Sequence, residues 1–202
     1  MLLIDGWSAH GASRRGFAHA LAERGRRPVS VDIPAHANST GKTTNRLESA
    51  KALGAILGEL GPFHGAVCHS FGAPSLLLAL HREYGHSPQR LVTVGAPNDI
   101  DKVFSDFARR FRLPAAAETN MRSRVDRIFG EPFMDFDVAA VARTFGRNLM
   151  VVHDTEDRDV PHAEGVKMAG EDGRLMTTEG LGHNRVLRSP DVIAAVTDFL
   201  AD

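Results

Sequence analysis

Three kinds of side chain, far apart in the sequence, have the types needed for nucleophilic attack: Ser70, the carboxylates between Asp154 and Val160, and His183. A serine hydroxyl is a weak nucleophile near neutral pH and needs a base to take its proton. An imidazole base in turn needs a carboxylate to fix its tautomer and stabilise its charged form. Ser70 ends the apolar run Gly65 to Cys68 and precedes the helical stretch Ala73 to Leu80. A strand, a sharp turn carrying serine and a helix is the arrangement that exposes a nucleophile. It requires small residues two places before and after the serine, and Cys68 and Gly72 stand there. The pattern is a relaxed form of G-x-S-x-G.

His183 is one of 10 histidines, most of which serve packing or surface. Its place in the glycine-bracketed loop Gly180-Leu181-Gly182-His183-Asn184, after the last strand, sets it apart. His69, His36 and His10 are weaker candidates for the base. For the acid, Asp154, Glu156, Asp157 and Asp159 share one loop, and Asp99 or Asp101 offers an alternative position.

Positioning these groups requires a scaffold that gathers distant loops. Short apolar runs at Leu2–Ile4, Val29–Asp32, Gly65–Cys68, Leu91–Val94, Leu149–His153 and Arg174–Thr178 read as six strands. Helical patterns alternate with them. One is capped by Ser13 and carries Phe17, Ala20 and Leu21. Another carries Leu47, Ala50, Leu53, Leu57 and Leu60 and is closed by Gly61. The last begins at Ser189-Pro190 and carries Val192, Ile193, Val196, Phe199 and Leu200. Alternating continuous strands and helices predict an α/β fold, a parallel sheet covered on both faces. Loops after parallel strands meet at one sheet edge, so Ser70, the acidic loop and His183 can converge.

The alternation breaks between residues 96 and 147. Ile100, Val103, Phe104, Phe107 and Phe111 follow helical spacing, Pro114 interrupts, and helices are expected over Glu118–Phe129 and Val138–Phe145. Seven of the 11 phenylalanines lie here, which marks a helical lid or cap insertion within one 1–202 domain. Phe104, Phe107, Phe111 and Phe129 are candidates to line a substrate pocket.

Composition narrows the function class. A net charge of -1 gives no general pull toward nucleic acid or an anionic membrane. The single cysteine, Cys68, rules out an internal disulfide and a Cys-rich zinc site. Without an apolar run of spanning length or an N-terminal targeting signal, a cytoplasmic protein is expected.

With these features in chain order, the sequence resembles the α/β-hydrolase superfamily, in its small serine-esterase-like branch. The resemblance rests on Asp5-Gly6-Trp7-Ser8, Asp32-Ile33-Pro34-Ala35-His36-Ala37-Asn38-Ser39, the Ser70 turn, His153-Asp154-Thr155-Glu156-Asp157-Arg158-Asp159-Val160-Pro161 and Gly182-His183. The order Ser…Asp…His is the family's. It implies a three-layer α/β/α sandwich with a triad of Ser70, Asp157 and His183; Asp157 is chosen because it stands four residues before Pro161. It also implies an oxyanion hole from the Trp7 and Phe71 backbone N–H groups, and supporting roles for His69 and His36. Asp5 replaces the family's usual histidine, Ala37 its usual glycine and Cys68 the first glycine of the elbow. Family members usually begin with an antiparallel hairpin for which this chain has no residues. The sheet is therefore expected to have about six strands, all parallel, with Val29–Asp32 at an exposed edge. A monomer or a homodimer through that edge follows.

The resulting expectation is a cofactor-independent, metal-independent serine hydrolase of carboxylic esters of small or medium, partly apolar molecules. The rival expectation is a ligand-binding protein of the same fold without activity, or a hydrolase or acyltransferase acting on thioester, amide or carbon–carbon bonds. Cys68, at a buried strand end, is expected to be an inert thiol.

Overall fold

The computed structural model describes residues 1–7, 15–129 and 136–201, without the side chains of Ile100, Asp101 and Val103. The Ser13 cap, His10 and Phe133 fall outside the described residues.

Six strands form one sheet: β1 (Leu2–Ile4), β2 (Val29–Val31), β3 (Gly65–His69), β4 (Arg90–Val94), β5 (Leu149–Asp154) and β6 (Arg174–Thr178). Their order is β2-β1-β3-β4-β5-β6, and every neighbouring pair is parallel. β2 therefore stands at one edge, as expected.

Side chains of a strand alternate between the two faces, and both faces of the central strands are buried and mostly apolar, with Thr93 and His153 as buried polar members. Leu2, Ile4, Ala66, Cys68, Leu91, Leu149 and Val151 point to one side. Leu3, Val67, Val92, Val94, Met150 and Val152 point to the other. The first face is covered by α2 (Arg46–Leu60), α3 (Gly72–His81), α6 (Val138–Arg143) and α7 (His162–Ala169). The second is covered by α1 (Arg15–Glu23) and α9 (Pro190–Ala201). Burial on both faces is why the strands read as continuous apolar runs rather than alternating ones.

Between β4 and β5 the structure adds α4 (Ile100–Arg110) and α5 (Ala115–Phe129) before α6, and α8 (Gly182–Arg185) follows β6. α6 buries Val138, Ala139 and Ala142 in the main core, whereas α5 has no fully buried residue among those described. α5 instead meets α4 through a polar network, in which Arg122 reaches both Glu118 (2.8 Å) and Ser105 (2.9 Å). Glu164 of α7 accepts from the Asn98 and Asp99 amides and from the Asn98 side chain, and so fixes the start of α4. Among the described residues no helix is long and apolar enough to cross a membrane.

Candidate active site

Ser70 stands one residue past β3 with φ 47, a left-handed conformation that costs an L-residue energy and turns the chain abruptly into α3. The turn is held because the Ser70 amide donates to the Val94 carbonyl at 2.9 Å. Small neighbours let it close. A Cβ on Gly6 would lie 2.7 Å from the Ser70 Cβ, and one on Gly72 would lie 2.7 Å from the Asp5 carbonyl oxygen. The loop after β1 thus passes directly beside Ser70, and the Trp7 ring meets the Phe71 ring edge-on at 5.3 Å. Among the described residues neither the Trp7 nor the Phe71 backbone N–H donates to a protein acceptor.

His183 and Asp157 arrive from the loops after β6 and β5. His183 Nδ1 donates to Asp157 Oδ2 at 2.8 Å, with the carboxylate side chain almost fully buried. Asp157 Oδ1 accepts from the Asp159 and Val160 amides, each at 2.9 Å. Burial alone pushes the Asp157 carboxyl upward. The hydrogen bonds from His183 and the two amides, with the attraction of the imidazole, outweigh it and hold the group below the ordinary carboxylate value. Asp157 is therefore an anion aimed at His183.

Asp154, the last residue of β5, has a different task. Its carboxylate accepts from the Glu156, Leu181 and Gly182 amides and from Thr178 Oγ1, at 2.7 to 3.0 Å. Two of these donors open α8, which the glycines suggested would be a plain loop. The carboxylate satisfies amides that a four-residue helix leaves unpaired. Burial again pushes the Asp154 carboxyl up, and the four hydrogen bonds bring it below its ordinary value. Asp99 caps α4 by accepting from the Lys102 amide, and Glu156 is exposed.

Two buried histidines support this corner. His69 Nε2 donates to the His183 carbonyl at 3.0 Å. Burial, with the His183 charge beside it, pushes His69 down to about 4, so it is neutral near pH 7. His153 Nε2 donates to the Val160 carbonyl at 2.9 Å and lies 3.6 Å from Asp157 Oδ2; burial lowers its pKa too. His36 bonds the Pro34 carbonyl and packs edge-on against Trp7. Gly95, just past β4, lies under the His183–Asp157 hydrogen bond. Its φ is +55, and a Cβ there would stand 3.2 Å from both Asp157 Oδ2 and His183 Nδ1. Cys68 is fully buried, and burial pushes its thiol far up, which makes it inert.

Asp157, Asp159 and His183 are the described donors that converge closely enough to hold a cation, with atoms within 4.8 Å of one another. Two of them, His183 and Asp157, are already hydrogen-bonded to each other.

A cavity of about 430 Å³ opens over Ser70. Trp7, Phe71, Pro74 and Val160 line it from the sheet side, and Phe104, Val125 and Phe129 from α4 and α5. Phe107 and Phe111 are not part of it. They pair with each other at 4.6 Å and are 45% and 58% exposed, because they continue along α4 on a side turned to solvent. The sequence reading missed Asn45 and Arg46, which also line the cavity. Asn45 caps α2 by accepting from the Glu48 amide. The Arg46 guanidinium is buried against Phe136 (5.0 Å to the ring centroid) and Phe129 (5.8 Å). Burial lowers its pKa to about 10, which leaves it charged at neutral pH.

The chain matches no protein-family model and no curated protein in sequence. Solved structures do match. An esterase of Pyrococcus furiosus superposes with a TM-score of 0.69 at 19% identity, over 98% of this chain and 80% of that one. A bromoperoxidase of Bacillus anthracis gives 0.72 at 18%, over 100% and 91% of the two chains. A monoacylglycerol lipase of Paleococcus ferrophilus gives 0.67 at 15%, over 99% and 93%. These proteins are named for different activities, so what they share with this chain is its architecture. The parallel sheet, its strand order and its two helical layers, together with these superpositions, identify the chain as having the α/β-hydrolase fold.

Proposed function

We propose that the protein is a serine hydrolase acting on carboxylic esters of small or medium, partly apolar molecules. The observation that carries this reading is the 2.8 Å bond from His183 Nδ1 to a buried, ionised Asp157, at the same sheet edge as the strained Ser70 turn. Nδ1 is committed to Asp157, so Nε2 is the atom that takes the Ser70 proton. The hydroxyl oxygen attacks the ester carbonyl, and the carbonyl oxygen becomes an oxyanion. The Trp7 and Phe71 amides are suited to receive it, since Trp7 follows Gly6, which packs against Ser70, Phe71 follows Ser70 itself, and neither has a described protein acceptor. His183 then protonates the departing alkoxide, leaving an acyl-enzyme on Ser70. Water, deprotonated by the same nitrogen, releases the acid. The apolar cavity supplies binding for the acyl chain.

The test is labelling with a fluorophosphonate probe followed by peptide mapping. Labelling should fall on Ser70, disappear in Ser70→Ala and drop sharply in His183→Ala. A folded protein that resists the probe would overturn the reading in favour of a binding protein of this fold.

A further inference from the structure

The cavity over Ser70 is mostly apolar, yet two opposite charges are set in its wall. Asp159 lies on the triad side, with its carboxylate within 4.8 Å of the donor atoms of His183 and Asp157. Arg46 lies on the α2 side, 3% exposed, with its guanidinium against the Phe129 and Phe136 rings. Burying a guanidinium has a large desolvation cost, and the start of α2 opposes it further through the helix dipole. A guanidinium also carries five N–H donors in a planar fork, so contacts inside the chain leave capacity for a ligand oxygen. An anionic group entering this cavity is repelled on the Asp159 side and attracted on the Arg46 side. The charge layout therefore sets an orientation as well as a preference.

We propose that Arg46 is a specificity-determining residue, and that the preferred substrate is an ester whose acyl chain ends in a carboxylate, the half-ester of a medium-length dicarboxylic acid. The ester carbonyl sits at Ser70, the methylene chain lies between Phe104, Val125 and Phe129, and the distal carboxylate meets Arg46. This rests on the esterase reading, whose chemistry it refines.

The experiment compares two esters with the same number of acyl carbons, 4-nitrophenyl hexanoate and the mono-4-nitrophenyl ester of adipic acid. The wild-type kcat/KM should favour the charged ester by about tenfold or more, the effect of one charge-assisted contact. Arg46→Met should abolish that preference, and Arg46→Lys should keep part of it. A wild-type ratio at or below one overturns the proposal, as does an unchanged ratio in a folded Arg46→Met protein. If Arg46→Met fails to fold, the wild-type ratio decides. Calorimetric binding of monomethyl adipate and methyl hexanoate to Ser70→Ala separates the two readings. Preference for the charged ester without any turnover by wild type would sink the hydrolase reading and keep the anion site. Turnover and Ser70 labelling without preference in rate or binding would sink the anion site alone.

Discussion

Gly6 approaches Ser70 so closely that a β-carbon on Gly6 would stand 2.7 Å from that of Ser70, inside the contact distance of two methyl-sized groups. The same added carbon would also meet the His69 ring at 3.1 Å. Gly6→Ala must therefore push the Trp7 amide away from the serine. We expect fluorophosphonate labelling of Ser70 to slow by about 100-fold, the effect of losing one oxyanion donor, with a stability loss of about 1–3 kcal/mol from overpacking. Labelling at the wild-type rate would show that the β1 loop takes no part.

Asp154 and Asp157 are three residues apart but predict opposite phenotypes. Asp157→Asn preserves shape and removes the charge facing His183, so turnover should fall by about 10⁴-fold, with a smaller loss of stability than at Asp154 because the two amides bound to Oδ1 keep an oxygen acceptor. Asp154→Ala leaves three amides and a hydroxyl without their acceptor. It should cost about 2–4 kcal/mol of stability and slow turnover through misplacement of His183. Urea unfolding and steady-state kinetics on both variants separate the two roles. A stable Asp154→Ala protein would contradict this assignment.

Acid should weaken the fold in two windows. His69 is held down at about 4, from an ordinary 6.5, by burial and the neighbouring His183. The unfolded chain therefore binds more protons between these values. The stability from neutral His69 is complete above pH 6.5 and is lost as pH falls toward 4. That drop corresponds to about 3 kcal/mol, and His153 acts with the same sign. Asp154 and Asp157 have depressed carboxyls, so their contribution persists through this window and is lost only below their ordinary 3.8. Unfolding free energies measured from pH 7 to 4.5 should decline in wild type and decline less in His69→Gln, which keeps a donor but cannot titrate. Equal slopes would count against a buried neutral His69.

Ala37 occupies φ 44 and Ala35 φ 61, both in the left-handed region where a Cβ is strained. The resemblance places glycine at position 37. Ala37→Gly relieves the strain at some cost in unfolded-chain entropy, and the net gain should be about 0.5–1 kcal/mol. A thermal melt checks this; a lowered transition would mean that the Ala37 methyl makes contacts worth more than the strain.

The sheet was legible because both faces of the four central strands meet a helix layer, so β1, β3, β4 and β5 appeared as apolar runs, whereas the edge strands β2 and β6 carry exposed polar residues. The convergence of Ser70, the acidic loop and His183 followed from that topology. Which acid faces His183 did not, because Asp154 and Asp157 are alike in type and neighbourhood; only a family resemblance favoured Asp157, and the geometry shows Asp154 engaged elsewhere. Periodicity identified α4 as amphipathic but not its neighbours, so Phe104 and Phe129 reach the cavity while Phe107 and Phe111 do not. Arg46 and Gly95 were hidden for a related reason. Their roles come from what lies across from them in space, which no local spacing encodes.

The cavity wall has three origins: the segments at the sheet edge, which also hold Ser70, Asp157 and His183; the starts of α2 and α3, which bring Arg46 and Pro74; and the helices α4 and α5, which hold none of the three polar residues. Reactivity and selectivity are thus written in separable stretches of chain. Transplanting residues 100–129 from another protein of this fold should yield hybrids that retain the serine's reactivity toward the probe while choosing acyl chains of a different length.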